Sequence, residues 1–370
     1  MRIKPFKLER FFDQYEFKAP YLLCSSDCEA LSIGDLLALE DGAAAAFHTH
    51  WLGYTEARGA PSLRQEIARL YTGITPDEVL VHAGAEEAIF LFMNAALQAG
   101  DHVLVHAPGY QSLAEVATAI GCEVTLWQTR EDDDWELDLD VLRASIRPNT
   151  RLIVVNCPHN PTGYLMSPDK QRDLIDIARQ HGLLLFSDEV YRLLEHGAPT
   201  LPAACDLYEN AVSLGVMSKT FGLAGLRIGW LATRNRDIYQ AVQHMKDYTT
   251  ICSSAPSEFL AELALRQQQK IIARNQAIIA ANLRLLDAFF ARYESLFRWR
   301  APKAGSTAFP SIRFEQDVEA FCRDVVQQQG VLLLPSTQFD YGTRHFRVGF
   351  GRRNLPQALE RLEAYVKARF

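Results

Sequence analysis

No run of the sequence approaches the roughly 18–20 consecutive apolar residues that a bilayer-spanning helix needs. The opening MRIKPFKLER likewise has no signal-peptide core. The expectation is a cytoplasmic chain with no membrane partner. A block of one charge sign is also missing. The net charge is −7 and the charged residues are scattered, so no basic face invites nucleic acid. Cysteines are few and dispersed, at 24, 28, 122, 157, 205, 252 and 322. An odd, scattered set does not make a disulfide framework and suits a reducing compartment. Cys24 and Cys28 are the one close pair, and without a second pair they do not read as a metal site. His48-Thr49-His50 lacks an acidic or thiol companion and reads as a surface loop, so no metal is expected. Internal repeats are absent, and low complexity is confined to Ala43–Ala46.

What is present is enough apolar residue for a large core: 370 residues, 48% hydrophobic, which suits two domains. Residues 1–21 form a mixed charged and aromatic arm without a clean period. Phe6, Phe11, Phe12, Tyr15 and Phe17 are expected to pack on the body or on a second subunit. Residues 22–40 read as a short extended piece, a polar turn and a helix capped near Ser32 or Asp35. Pro61 suits the first turn of a helix through Leu63–Ile67. From Val79, short apolar runs alternate with helical segments. The runs are Val79–Val81, His102–His106, Glu123–Trp127, Leu152–Cys157, Leu183–Phe186, Val212–Val216 and Arg227–Ala232. Continuous apolar runs between helices predict strands buried on both faces, hence an α/β fold with a mostly parallel seven-stranded sheet. After Pro256 the composition shifts. Ser257–Tyr293 reads as helical, followed by strands at 309–314, 331–335 and 345–350 and helices at 318–329 and 355–368. This is a smaller α+β domain, with a boundary near residue 255.

The unusual polar residues fall just after the strands, where ligands bind in a parallel α/β sheet. Gly84-Ala85-Glu86, Pro108-Gly109-Tyr110, Asn160-Pro161-Thr162-Gly163, Asp188-Glu189-Val190-Tyr191 and Ser218-Lys219 each follow a predicted strand. Each has an ordinary explanation beside a functional one. Gly84 is either a simple strand–helix turn or the start of an anion site at helix-opening amides. Tyr110 alone reads as packing, and Asn160 alone as turn chemistry. Asp188, directly after Leu-Leu-Leu-Phe-Ser, needs a cation or a donor, as Arg227 needs an anion. Lys219, inside Ser213–Trp230 (SLGVMSKTFGLAGLRIGW), is either a rim lysine facing water or an amine held in an apolar pocket to attack a carbonyl. Together, an amine, a carboxylate, an anion site and an arginine describe a bound aromatic phosphate with a reactive carbonyl.

SKTFGLAGLRIG, NPTG and DEVY, in this chain's positions, resemble the class I/II aminotransferases of the fold type I pyridoxal-phosphate enzymes. The likeness runs from about residue 22 to the C-terminus. It implies an aspartate-aminotransferase-like fold. Residues 1–45 would be an arm and part of the small domain, 46–255 the cofactor-binding domain, and 256–370 the rest of the small domain. It implies pyridoxal 5′-phosphate as cofactor and Lys219 as the Schiff-base lysine and proton carrier. Asp188 would partner the pyridine nitrogen, Asn160 and Tyr191 the ring hydroxyl, and Tyr110 the ring face. Ala85 and Glu86 would supply backbone amides to the phosphate, with Arg227 as its cation. Tyr54, five residues before Gly59, resembles the tyrosine lent to the other subunit's phosphate, which implies a homodimer with shared sites. Arg347, in Phe-Arg-Val-Gly-Phe, resembles the arginine that grips the substrate α-carboxylate, where a planar fork outperforms a lysine. It shares a strand face with Gly349, whose small size is expected to leave room for a ligand, while Phe346, Val348 and Phe350 face the core. A structural ion pair is the other reading of Arg347. Arg344, Arg352 and Arg353 read as solvated charge.

Two features depart from the family pattern. Val216 stands where a small or hydroxyl residue ordinarily holds phosphate, so Ser218 is the expected substitute. Cys24–Glu29 replaces the Gly-Glu-Pro type of loop over the substrate, a shortened N-terminus similar to that of capreomycidine-synthase-like relatives. Three functions follow. The first is an aminotransferase acting on an α-amino acid and a 2-oxo acid. The second keeps the cofactor for β/γ-elimination, replacement or cyclisation. The third is a non-catalytic cofactor-binding homologue.

Overall fold

The computed structural model describes residues 2–370. Seven strands form the central sheet. Numbering from the short β1 (Tyr21–Leu22), they are β2 (Val79–His82), β3 (His102–Ala107), β4 (Glu123–Gln128), β5 (Thr150–Asn156), β6 (Leu184–Asp188), β7 (Ala211–Val216) and β8 (Gly229–Thr233). Their order across the sheet is β2-β8-β7-β6-β5-β3-β4. The run from β4 to β7 is parallel, and β8 is antiparallel to both of its neighbours. Every residue of β2, β3, β6, β7 and β8 is buried, which is why these strands read as unbroken apolar runs. β4 differs. It is one of the two sheet edges, and only Trp127 is fully buried there, whereas the other edge, β2, is covered throughout. Helices Ala85–Ala96, Ser112–Ile120, Leu139–Ser145, Pro168–Gln180 and Arg236–Lys246 flank the sheet. The chain reverses direction across the sheet between β3 and β5, so the carboxyl ends of β3, β5, β6 and β7 open on one crevice.

The C-terminal region carries its own small sheet, with Thr307–Ala308 and Leu334–Pro335 pairing antiparallel with Phe346–Gly349. β1 pairs in parallel with Val331–Leu332 and so ties the N-terminal segment to this region. Phe297, Phe321 and Phe346 pack with ring centroids 5.5–6.1 Å apart behind the strand that carries Arg347. The stretch expected to be helical over 257–293 is so, in two helices, Ala255–Arg266 and Gln268–Arg292, separated at Gln267. The longer one presents two buried asparagines seven residues apart, hence on one face. Asn275 Nδ2 donates to Thr220 O, and Asn282 Nδ2 donates to Phe350 O and Arg352 O. This helix thereby holds the turn after β7 and the turn after the Phe346–Gly349 strand from one rod.

Three expectations need correction. Residues 1–21 are not an aperiodic arm: α1 (Lys7–Tyr15) is a helix, with Leu8 buried and Phe11 and Phe12 partly so. Of the five aromatics, Phe17 is 93% exposed, whereas Phe6 packs at 5.0 Å from Tyr110. Arg227 does not begin a strand. It sits two residues before β8 in a left-handed conformation (φ 52°). His48 ends a short helix, Ala43–His48, rather than lying in a loop. Ser32 caps Ile33–Leu37 reciprocally with Asp35, as its sequence suggests. All seven cysteines are free. Among the described residues, no helix is long and apolar enough to cross a membrane.

Candidate active site

A cavity of about 330 Å³ opens at the carboxyl ends of the strands. Its floor is built from the sheet. β6 ends at Asp188, whose carboxyl is buried and receives only a long bond from Val190 N, 3.3 Å. Burial pushes its pKa up to about 7, against the pull of that amide and of Lys219. β5 ends at Asn156. Its side chain donates to Asp188 O (2.9 Å) and Pro158 O (3.1 Å) and accepts from Asn160 N (2.8 Å), so one amide ties the two strand ends and positions Asn160. Tyr191 is buried with its hydroxyl lacking a partner of ordinary geometry, although nearby Ser26 opposes the upward shift that burial gives its pKa. Lys219 follows β7. Its amine donates to Ser26 Oγ at 2.8 Å, and burial lowers its pKa.

One wall of the cavity is formed by the start of the Ala85–Ala96 helix. Gly84 before it has φ 87°, and a Cβ there would fall 2.7 Å from an Arg227 guanidinium nitrogen, so only glycine lets that cation reach the helix start. Gly229 is equally confined, since a Cβ would lie 2.9 Å from Ala85 N. Ser218 and Val216 also line the cavity, and the mostly buried Glu86 accepts from Ser112 Oγ (3.2 Å). Tyr110 lines the cavity from the turn after β3. Tyr54 does not line it: the residue is 87% exposed on the outside of the chain.

The roof comes from the chain ends. Arg347 is buried, with Nε donating to Cys24 O (3.0 Å) and a terminal nitrogen to Asn160 Oδ1 (3.1 Å). No carboxylate takes it up among the described residues, so the ion-pair reading fails. Gly349 does not leave room for a ligand as expected. A Cβ on it would lie 1.7 Å from Ser25 O, so the space is taken by the 24–29 loop. Arg352 is not solvated charge either. Its Nε and a terminal nitrogen grip both oxygens of Asp27, at 3.1 and 2.9 Å. Arg344, by contrast, is largely exposed and lies 3.8 Å from Glu315. α1 completes the wall with Leu8, Glu9 and Phe12, joined by Glu16 at its C-cap. Burial raises the Glu16 pKa, and Glu9 and Asp27 add to the rise.

Ser26 and Asp27 lie in the 24–29 loop expected over the substrate but had no role of their own, Arg352 was read as solvated charge, and Glu9, Glu16 and Asn156 were not expected at the site. Only Asn156 carried a local signal, a polar residue closing the apolar run Leu152–Val155. The others reach the cavity through folding of distant segments.

The residues fit pyridoxal phosphate on the structure's own terms. A buried carboxyl and a buried phenol lack adequate partners, an amine stands beside them, and a glycine cradle brings a guanidinium to a helix N-terminus. The same chemistry recurs among known proteins. The family model described as aminotransferase class I and II matches residues 24–362. Capreomycidine synthase of Streptomyces vinaceus is 31% identical, with the alignment covering 98% of this chain and 95% of that protein. A PLP-dependent aminotransferase from Streptococcus suis superposes with a TM-score of 0.94 at 32% identity, covering 100% of this chain and 99% of its own. A PLP-dependent cyclase, OrfR, gives 0.92 at 32% identity, covering 100% and 99%. The chain is therefore a member of the aminotransferase class I and II family of pyridoxal-phosphate-dependent enzymes.

Proposed function

We propose that the protein transfers an amino group between an α-amino acid and a 2-oxo acid, with Lys219 as the residue that bonds the cofactor and carries the proton. The observation behind this reading is the Arg347 guanidinium. It is buried over a cavity shared with Lys219 and Asp188, and only two of its five N–H groups have a protein partner. A substrate carboxylate answers that geometry. When bound, the cofactor supplies an electron sink for charge developing at the substrate's Cα. Asp188 would hold a proton on the ring nitrogen, Asn160 and Tyr191 would bond the ring hydroxyl, and Tyr110 would cover the ring. Ala85 and Glu86 amides, Ser218 and Arg227 would bind phosphate, joined by Tyr54 from a second copy in a homodimer. Exposed Trp51, Leu52, Tyr54 and Tyr248 supply apolar surface for that association.

The roof adds a substrate class. Once phosphate and substrate carboxylate engage Arg227 and Arg347, and Asp27 holds Arg352, the carboxylates of Glu9 and Glu16 remain on the wall without an ion-pair partner among the described residues. An amino acid with a positively charged side chain would relieve their mutual repulsion. A second reaction, replacement or cyclisation at the side chain, is favoured by the names borne by two relatives, a synthase and a cyclase. One experiment separates the two reactions. The holoenzyme is mixed with each common amino acid and its absorbance followed. Conversion of the cofactor to its amine form supports transfer. Loss of a side-chain leaving group without that conversion, with or without release of ammonia and a 2-oxo acid, supports the second reaction. Lys219→Ala is expected to lose the absorbance of the lysine-bound cofactor and at least ~10³-fold in rate. Retention of the absorbance would count against Lys219 as the lysine that bonds the cofactor, and retention of the rate against it as the proton carrier.

A further inference from the structure

A lysine that has been displaced from its cofactor is a problem of placement. Its stem has four rotatable bonds, and an amine free to wander costs about 2 kcal/mol of side-chain entropy to localise. In the structure the Lys219 amine donates a hydrogen bond to Ser26 Oγ, 2.8 Å away. Asp27 and Asp188 act on it through space. Ser26 itself is fixed from several sides. Ser306 Oγ donates to its carbonyl at 2.8 Å, and Gly349 N donates to Leu23 O at 2.8 Å. Arg347 holds Cys24 O, and Arg352 holds the Asp27 side chain. Cβ atoms on Gly349 and Gly351 would fall 1.7 and 2.3 Å from the carbonyls of Ser25 and Asp27, so both glycines admit the loop. A hydroxyl is the suitable partner for an amine that changes protonation. It accepts from the ammonium and donates to the neutral amine, whereas a carboxylate would trap the charged form.

We propose that Ser26 holds the displaced Lys219 amine at the place from which it takes the substrate's Cα proton and returns it. The proton leaves Cα for Nζ, the electron pair stays with the substrate–cofactor system, and Ser26 changes only the direction of its hydrogen bond. The inference rests on the reading of Lys219 as proton carrier.

The test follows exchange of the Cα proton for deuterium by NMR, in holoenzyme, using the common amino acid that wild type exchanges fastest. Ser26→Ala is expected to exchange ~10-fold or more slowly. KM should stay within about twofold, the absorbance of the bound cofactor should be unchanged, and the isotope effect of a Cα-deuterated substrate should be larger. Ser26→Thr should recover most of the rate, and Ser26→Cys, with its weaker hydrogen bond, should fall between. In crystals of holoenzyme carrying the amine form of the cofactor, Nζ should sit at Ser26 in wild type and be disordered in Ser26→Ala. Wild-type exchange in Ser26→Ala, or a loss confined to KM, overturns the proposal and leaves Lys219 in its role. Should Ser26→Ala fail to bind cofactor, a Ser26→Cys rate equal to wild type does the same. A wild-type enzyme that bonds the cofactor through Lys219 but exchanges no amino acid overturns both readings.

Discussion

The floor and the roof of the cavity are built by different rules. The floor consists of residues that end parallel strands, so Asp188, Asn156, Asn160 and Lys219 owe their places to the register of one sheet. The roof consists of α1, the 24–29 loop and Arg347, which meet only because β1 pairs with Val331–Leu332 and because glycines at 349 and 351 admit the loop. Floor residues contact the cofactor in our reading; on the roof, Arg347 and the α1 wall bear on the substrate, whereas Ser26 bears on Lys219. Changes in the floor and at Ser26 should therefore register on cofactor and chemistry, and changes at Arg347 and on the α1 wall on substrate affinity.

In the cofactor-free protein, the largest effect expected of a floor substitution is at Asp188. The Asp188 carboxyl has its pKa raised from 3.8 to about 7, so folding takes up a proton between those values. Stability is fully present below the unfolded pKa and is lost as pH rises through about 7, by at most ~4 kcal/mol. Asp188→Asn should remove that loss, so denaturant melts of the variant at pH 5 and pH 8 should differ less than those of wild type. Equal differences would mean that the Asp188 carboxyl does not carry the raised pKa. On the roof, Arg347→Lys keeps the charge but forfeits the fork, and KM should rise ~100-fold with the bound-cofactor absorbance intact. A loss of cofactor instead would erase the division between floor and roof.

Legibility in the sequence followed the same division. Buried strands with polar residues at their ends are local patterns, so the seven strands, Asp188, Lys219 and Asn160 could be read directly. Ser26, Asp27 and Arg352 could not, because nothing near residue 26 announces that residues 347–352 will lie against it. α1 was missed because its aromatics mask the spacing: Leu8 and Phe12 face the cavity at i, i+4, while Phe11 and Tyr15 pack elsewhere, 5.1 Å apart. Arg352 was misjudged for the same reason, since its partner Asp27 is 325 residues away.

Smaller effects sharpen the contrast. Gly349→Ala must displace the Ser25 backbone, and a destabilisation of about 1–3 kcal/mol, read from thermal melts, should come with weaker substrate binding. Glu16→Gln should have the mildest consequence. It is expected to cut the preference for a cationic over a neutral amino acid ~10-fold in kcat/KM, worth ~1.4 kcal/mol, and to leave neutral substrates unaffected. An equal loss for both classes would assign Glu16 to the stability of α1 rather than to selection.

The central claim is that the lysine after β7 bonds the cofactor. Borohydride reduction of the coloured holoenzyme, followed by peptide mapping, tests it directly. The account predicts a single stable cofactor adduct, on Lys219. An adduct on another lysine, or none at all, would contradict it.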